Sequence, residues 1–342
     1  MDQLVIENFP VPKAGELVEV SEGIFWLRMP LPMSLNHINL YLVDEGDSFA
    51  VIDTGMNYPD SKVLWEQLFE THCQNKPIKK VVVTHMHPDH VGLAGWICER
   101  FDAALYMTQT EFFATQAGLA DGIPPETNIQ FYTQIGMPQE FLDFVAQSPY
   151  RMSNIVAPIP HQFRRLSNGG TLTLGGNEWQ IITGAGHTFE HASLYCKERL
   201  LYFSGDQLLP EITSNVSVYV MEPNANPLAL WYESLDSLTV MDKNTLVLPS
   251  HNQPFKGVHP RVGVIKDHHD VFLDKLVCLL NTPKSVYDLT QELFPKVDFL
   301  EMPLAVGECL AHLNYLLAAG RITCDQSGLP YLYDRKSVEI KT

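Results

Sequence analysis

The chain has no run of apolar residues near the ~20 needed to cross a bilayer, and no C-x-x-C pair among its cysteines at 73, 98, 196, 278, 309 and 324. The first absence excludes a helical membrane protein. The second argues against a Cys-ligated zinc or a disulfide framework, so the cysteines read as reduced, mostly buried small hydrophobes. Basic side chains are also scarce, 23 against 40 acidic ones, for a formal net charge of −17. Proteins that hold polyanions need clustered Lys and Arg to neutralise phosphates, so nucleic acid is a poor general partner. The opening Met1-Asp2-Gln3-Leu4 lacks the basic and apolar regions of a signal peptide, and the expectation is a cytoplasmic protein.

What is present is ordinary globular material: 45% hydrophobic and 10% aromatic residues over 342 positions, enough for a large domain and a small one. Alternating apolar and polar residues over 17–29 and 38–53 predict antiparallel strands. A helical pattern follows over 59–75, then the buried β-branched run Lys79–Thr84 and a further helix from Gly92. Strands are expected at 104–107, 171–183, 193–196, 200–204 and 245–249, with a helix over 227–241. This order predicts an α/β layered sandwich. After Pro283 the pattern becomes a helix over Ser285–Phe294, a helix over Ala305–Ala319 and a hairpin around Asp325–Gly328. That is the outline of a winged helix, and the boundary is placed between a catalytic domain, 1–278, and a C-terminal domain, 279–342.

The chemistry concentrates in His85-Met86-His87-Pro88-Asp89-His90, four potential ligands within six residues directly after a strand. Imidazole nitrogen and carboxylate oxygen suit zinc, iron or manganese. A loop at the carboxyl end of a strand can splay alternate side chains, so His85 and His87 could serve one ion and Asp89 and His90 a second. His187, Asp206 and His251 each end an apolar strand-like run and can complete two coordination shells.

These residues lie in Asp53-Thr-Gly, Thr84-His-x-His-x-Asp-His90, Gly186-His187-Thr, Ser204-Gly-Asp206 and Pro249-Ser-His251. In that order they resemble the motifs of the metallo-β-lactamase fold hydrolases, over about residues 20–255. The resemblance implies an αββα sandwich with its site at one edge of two sheets. It implies that His85, His87 and His187 hold one metal, that Asp89, His90 and His251 hold another, and that Asp206 bridges them. Asp53 resembles the carboxylate that props the histidine loop. Zinc is the favoured pair of ions, with iron or manganese admissible.

Water between two such cations deprotonates near neutral pH and becomes the nucleophile, with Asp89 orienting it. His187-Thr-Phe-Glu-His191 departs from the family's usual H-T-x-G-H, and His191 reads either as a residue behind the ligands or facing substrate, or equally as a hydrogen-bonded loop histidine. Asn39, in His37-Ile-Asn39, resembles a family asparagine near the site, whereas a plain strand contact is the simpler reading. His161, His268 and His269 read as surface or loop residues, and Glu111 carries no assignment.

The aromatic-rich insertion at 108–165 reads either as a lid over an apolar pocket or as helices packed on the core. A lid favours a small-molecule acyl substrate, a thioester or ester, as in the glyoxalase II-like branch. The winged-helix outline also resembles a branch containing an endoribonuclease, yet Ala305–Ala319 carries no Lys or Arg. That makes the tail a packing, lid or homodimerisation element. A metal-binding protein without catalysis is the third alternative, disfavoured because no ligand is missing.

Overall fold

The computed structural model describes residues 3–73, 76–120, 122–147, 151–299 and 301–336. By their contacts they divide into two compact units. The first comprises 1–122, 151–214 and 235–262; the second comprises 123–150, 215–234 and 263–342.

The first unit is built on two seven-stranded sheets. In one, Val18–Ser21, Ile24–Pro30, His37–Asp44 and Phe49–Ile52 follow as antiparallel neighbours. Ile78–Val82, Ala104–Thr108 and Arg164–Leu166 then add in parallel. In the other, Leu201–Gly205 and Leu246–Pro249 run parallel at the centre. His191–Cys196, Asn177–Gly184 and Thr171–Leu174 extend one side, and Phe255–Lys256 and Val5–Ile6 the other.

Two apolar clusters show how the layers meet. Trp26, Tyr41, Val43 and Ile52 of the first sheet pack with Trp179, Leu194, Phe203 and Leu248 of the second. Trp179 stacks on Phe203 with centroids 4.7 Å apart. On the other face of the first sheet, Leu27, Leu40, Val51 and Val81 pack with Trp65 and Leu68 of the helix Pro59–His72 and Ile97 of the helix Ala94–Phe101. Strict alternation along Ile38–Val43 feeds both clusters, as a strand buried on two faces requires. The fold is therefore a helix-covered sandwich of two sheets, as the strand and helix pattern predicts.

The expected strand 171–183 is two strands with a hairpin between them. Gly175 and Gly176 take φ of +57° and +71°, which two-residue hairpin turns favour. His269, expected on a loop or surface, is fully buried in the helix Val258–Leu279; His161 is exposed, as expected. Much of the aromatic content of 108–165 is used in packing within each unit. Phe112 stacks on Phe163 at 4.0 Å in the first, and Phe141 meets Phe299 at 5.4 Å in the second.

In the second unit, helices Val286–Leu293 and Met302–Ala318 precede the hairpin Ile322–Asp325 and Leu332–Arg335. The first of these helices begins on a reciprocal capping box, Ser285 with Asp288, which satisfies two otherwise orphaned backbone donors. None of the six cysteines is in a disulfide. Among the described residues no helix is long and apolar enough to cross a membrane.

Close backbone approach sets one clear constraint. A Cβ on Gly95 would stand 1.8 Å from the Pro158 carbonyl oxygen, so Gly95→Ala must displace backbone. We expect it to lower stability by about 2–3 kcal/mol. Gly263→Ala, in a helix with nothing within 4 Å of the added carbon, should instead stabilise by up to ~1 kcal/mol. Chemical denaturation of the two variants reads both; equal midpoints would contradict the packing described.

Candidate metal centre

Six strand ends bring the polar residues together. Phe49–Ile52 leads into Asp53, Ile78–Val82 into Thr84–His90, Asn177–Gly184 into His187, Leu201–Gly205 into Asp206, and Leu246–Pro249 into His251. His191 opens the sixth, beside Gly184. Because Leu201–Gly205 and Leu246–Pro249 are parallel, Asp206 and His251 emerge at the same end.

The donor atoms fall into two sets, His85 with His87, His187 and Asp206, and Asp89 with His90 and His251. Asp206 reaches both. Its Oδ2 lies 3.3 Å from His187 Nε2 and 3.4 Å from His90 Nε2, and its Oδ1 lies 3.4 Å from His251 Nε2. Asp89 Oδ2 is 3.5 Å from both His90 Nε2 and His251 Nε2. These spacings are long for hydrogen bonds. They match the ~3.3–3.4 Å between two atoms that each sit 2.0–2.1 Å from one tetrahedral ion. His90 Nε2 and Asp206 Oδ1 are buried with no hydrogen-bond partner, which is costly unless a cation takes their lone pairs. The residues present fit divalent metal ions.

Local electrostatics agree. Burial and the surrounding imidazoles hold His85 and His87 well below the usual histidine range, so both present neutral rings, the ligand form. At His90 burial acts downward, but Asp89, Asp206 and Asp53 outweigh it and raise the ring well above its ordinary value. Burial likewise acts upward on Asp206, yet His90 and His251 hold its carboxyl well below the usual carboxylate range. Without cations the centre is thus a set of strongly interacting charges.

Orientation of the ligands comes from groups behind them. Asp53 Oδ2 accepts from His90 Nδ1 at 2.8 Å, and Oδ1 accepts from the Thr84 backbone N–H at 2.8 Å. Asp53 itself sits at φ +57°, a conformation rare for non-glycine residues and retained here where it props the histidine loop. Thr84 Oγ1 lies 2.9 Å from His85 Nδ1. The His37 carbonyl is 2.9 Å from His251 Nδ1, which fixes the tautomer that leaves Nε2 for the centre. Asn39 is buried and donates to the Pro249 and Asn252 carbonyls, anchoring the loop that carries His251. His191 is fully buried, and its Nε2 accepts from the Asp206 backbone N–H at 3.1 Å. Its ring lies beside that of His85, with centroids 4.9 Å apart.

Glu111 is the residue that sequence reasoning passed over. Its Oε2 accepts from the Met86 N–H at 2.9 Å and its Oε1 from the Glu190 N–H at 2.7 Å. One buried carboxylate thereby ties the His85–His87 loop to the His187–His191 loop. Burial pushes this carboxyl upward, opposed by those two backbone donors. A glutamate one turn into a helix after a strand carries no motif of its own, so nothing in the sequence marked it.

Comparison with known proteins decides the family. The family described as the metallo-beta-lactamase superfamily matches residues 34–251. The chain belongs to the metallo-beta-lactamase superfamily. A second family, described as the metallo-beta-lactamase-like C-terminal domain, matches residues 273–329. The "Probable metallo-hydrolase YqjP" of Bacillus subtilis is 26% identical over 315 residues, 89% of this chain and 95% of that protein. A crystal structure of a beta-lactamase domain protein from Burkholderia ambifaria superposes with a TM-score of 0.90 at 36% identity, over 97% of this chain and 98% of that one. Human acyl-coenzyme A thioesterase MBLAC2 is 24% identical over 197 residues, 55% of this chain and 64% of that protein. The protein is thus a metallo-hydrolase of this superfamily.

Glu111→Gln replaces one of the two acceptors with an amide N–H₂ that must face a backbone donor. We expect metal affinity, measured by chelator competition, to fall about 10–100-fold with the far-UV spectrum unchanged. Unaltered affinity would contradict the positioning role.

Proposed function

We propose that the protein is a dinuclear, zinc-dependent hydrolase of a small acyl thioester or ester. The observation that carries this reading is Asp206, whose two carboxylate oxygens approach ligands of both donor sets. Bound there, two cations would acidify a water and polarise the scissile carbonyl. Every donor in the two sets is nitrogen or oxygen, a set that zinc accepts and that iron or manganese accepts also.

The chain's own residues supply the rest. His85, His87 and His187, with His90 and His251, hold the charge-bearing centre from its buried side. Asp89 is the more open of the two central carboxylates, its side chain 17% exposed against 9% for Asp206. That greater exposure supports a role for its carboxylate in orienting an entering water and accepting its proton. Asp53 and Glu111 keep the loops from relaxing as charge develops.

The acyl substrate class rests on the chemistry of the centre and on a distant thioesterase relative. Charge supports it from the other side. A net −17 and a helix, Met302–Ala318, without Lys or Arg give little to hold a polyanion. A small-molecule substrate is therefore favoured over nucleic acid.

The test is a panel of acyl thioesters, lactones, a phosphodiester, RNA and a β-lactam, assayed with zinc, iron and manganese. The proposal expects thioester or ester turnover, strongest with zinc. It also expects His87→Ala and Asp89→Ala to lose that turnover by at least ~10³-fold while keeping native circular dichroism. RNA cleavage without thioester turnover, or near-normal activity in either variant, would overturn it.

A further inference from the structure

The second unit contains another gathering of donor atoms, outside the centre described above. His269 projects from the helix Val258–Leu279, and Glu308 and His312 from the helix Met302–Ala318. Their ligand-type atoms lie within 4.8 Å of one another. Glu308 and His312 are four residues apart, so both fall on one helical face. Both histidine rings are fully buried, and Glu308 is partly buried.

We propose that His269, Glu308 and His312 form a separate site for a zinc-like divalent transition-metal ion, which fastens these two helices together. His312 Nδ1 lies 2.8 Å from the Glu308 backbone carbonyl and donates to it. That commits its N–H and leaves Nε2 as a lone pair. The same arrangement orients His251 through the His37 carbonyl at the catalytic centre. His312 Nε2 is 3.0 Å from His269 Nδ1, while His269 Nε2 is buried with no hydrogen-bond partner. The two neutral rings therefore have one N–H between them for the lone pairs facing the cluster.

The Glu308 carboxylate stands beside them, oriented by Asn215, whose Nδ2 donates to Oε2 at 3.1 Å. Two imidazole nitrogens and a carboxylate oxygen are a zinc-type donor set, with the fourth position left for water. The aromatic rings of Phe272 and Tyr232 stand 5.7 Å from His312 and 6.2 Å from His269, and such an apolar surround limits solvent access to an ion.

Metal counting tests the site without reference to catalysis. Protein stripped with a chelator is reloaded with zinc or cobalt, desalted, and its metal content measured by mass spectrometry. His269→Gln, Glu308→Gln and His312→Gln should each retain one ion fewer than the parent. A His85→Ala/His87→Ala/His251→Ala variant should keep an ion that disappears when His312→Gln is added. Chelator should lower the melting temperature of the former by about 3 °C or more and leave the latter unchanged. Equal metal content in the parent and all three single variants would overturn the proposal, and show the cluster to be a plain buried histidine–histidine hydrogen bond. If the triple variant fails to fold, the difference between the parent and the single variants decides alone.

Discussion

Crowding of like groups at the ends of the strands is the constraint on which the rest of the molecule depends. Five imidazoles and two carboxylates meet within a few ångströms, most of them buried. Buried ionic groups cost several kcal/mol each unless they are compensated, and here some lone pairs have no proton to accept. A sandwich carrying this cluster is coherent only if cations complete it. The sheets contribute rigidity: the parallel pairs of Phe49–Ile52 with Ile78–Val82 and of Leu201–Gly205 with Leu246–Pro249 end at the cluster, and the core between the sheets fixes where those ends lie.

Positive charge alone would not hold the ligands in place, and the surrounding groups do that work by backbone as much as by side chain. Asp53 grips the first histidine loop from one side and Glu111 grips it from the other. Glu111 also holds the loop bearing His187. His251 is aligned by a carbonyl, and the backbone of Asp206 by His191. Each loop therefore has a restraint of its own or one it shares through Glu111, which suits a centre whose ligands arrive from four separate segments.

The ligands themselves were legible because each sits directly after a run of apolar, strand-forming residues, and because the cluster at 85–90 is too dense to arise from ordinary loop composition. Asp53 followed from the same family pattern. What stayed hidden acts without a sequence signature. Glu111 lies on a helix and is defined by two distant backbone N–H groups. His37 contributes a carbonyl, which any residue could supply. His269 looked like a surface residue because its neighbours in sequence, Asp267, His268 and Asp270, are polar; its burial depends on the face of the helix Val258–Leu279 that it occupies. The Gly175-Gly176 turn is hidden for a simpler reason: the short strands Thr171–Leu174 and Asn177–Gly184 on either side of it have like composition. Residues 123–150 and 215–234 cluster with 263–342, and no change of composition marks either segment.

The central claim is that Asp206 joins two metal ions held by the remaining six residues. Anomalous diffraction from crystals of the metal-loaded protein, collected across the zinc absorption edge, tests it most directly. The account predicts two anomalous peaks about 3.5–4 Å apart. One should be ringed by His85, His87 and His187 and the other by Asp89, His90 and His251, with Asp206 in contact with both. A single peak, or strong peaks elsewhere with none beside Asp206, would contradict it.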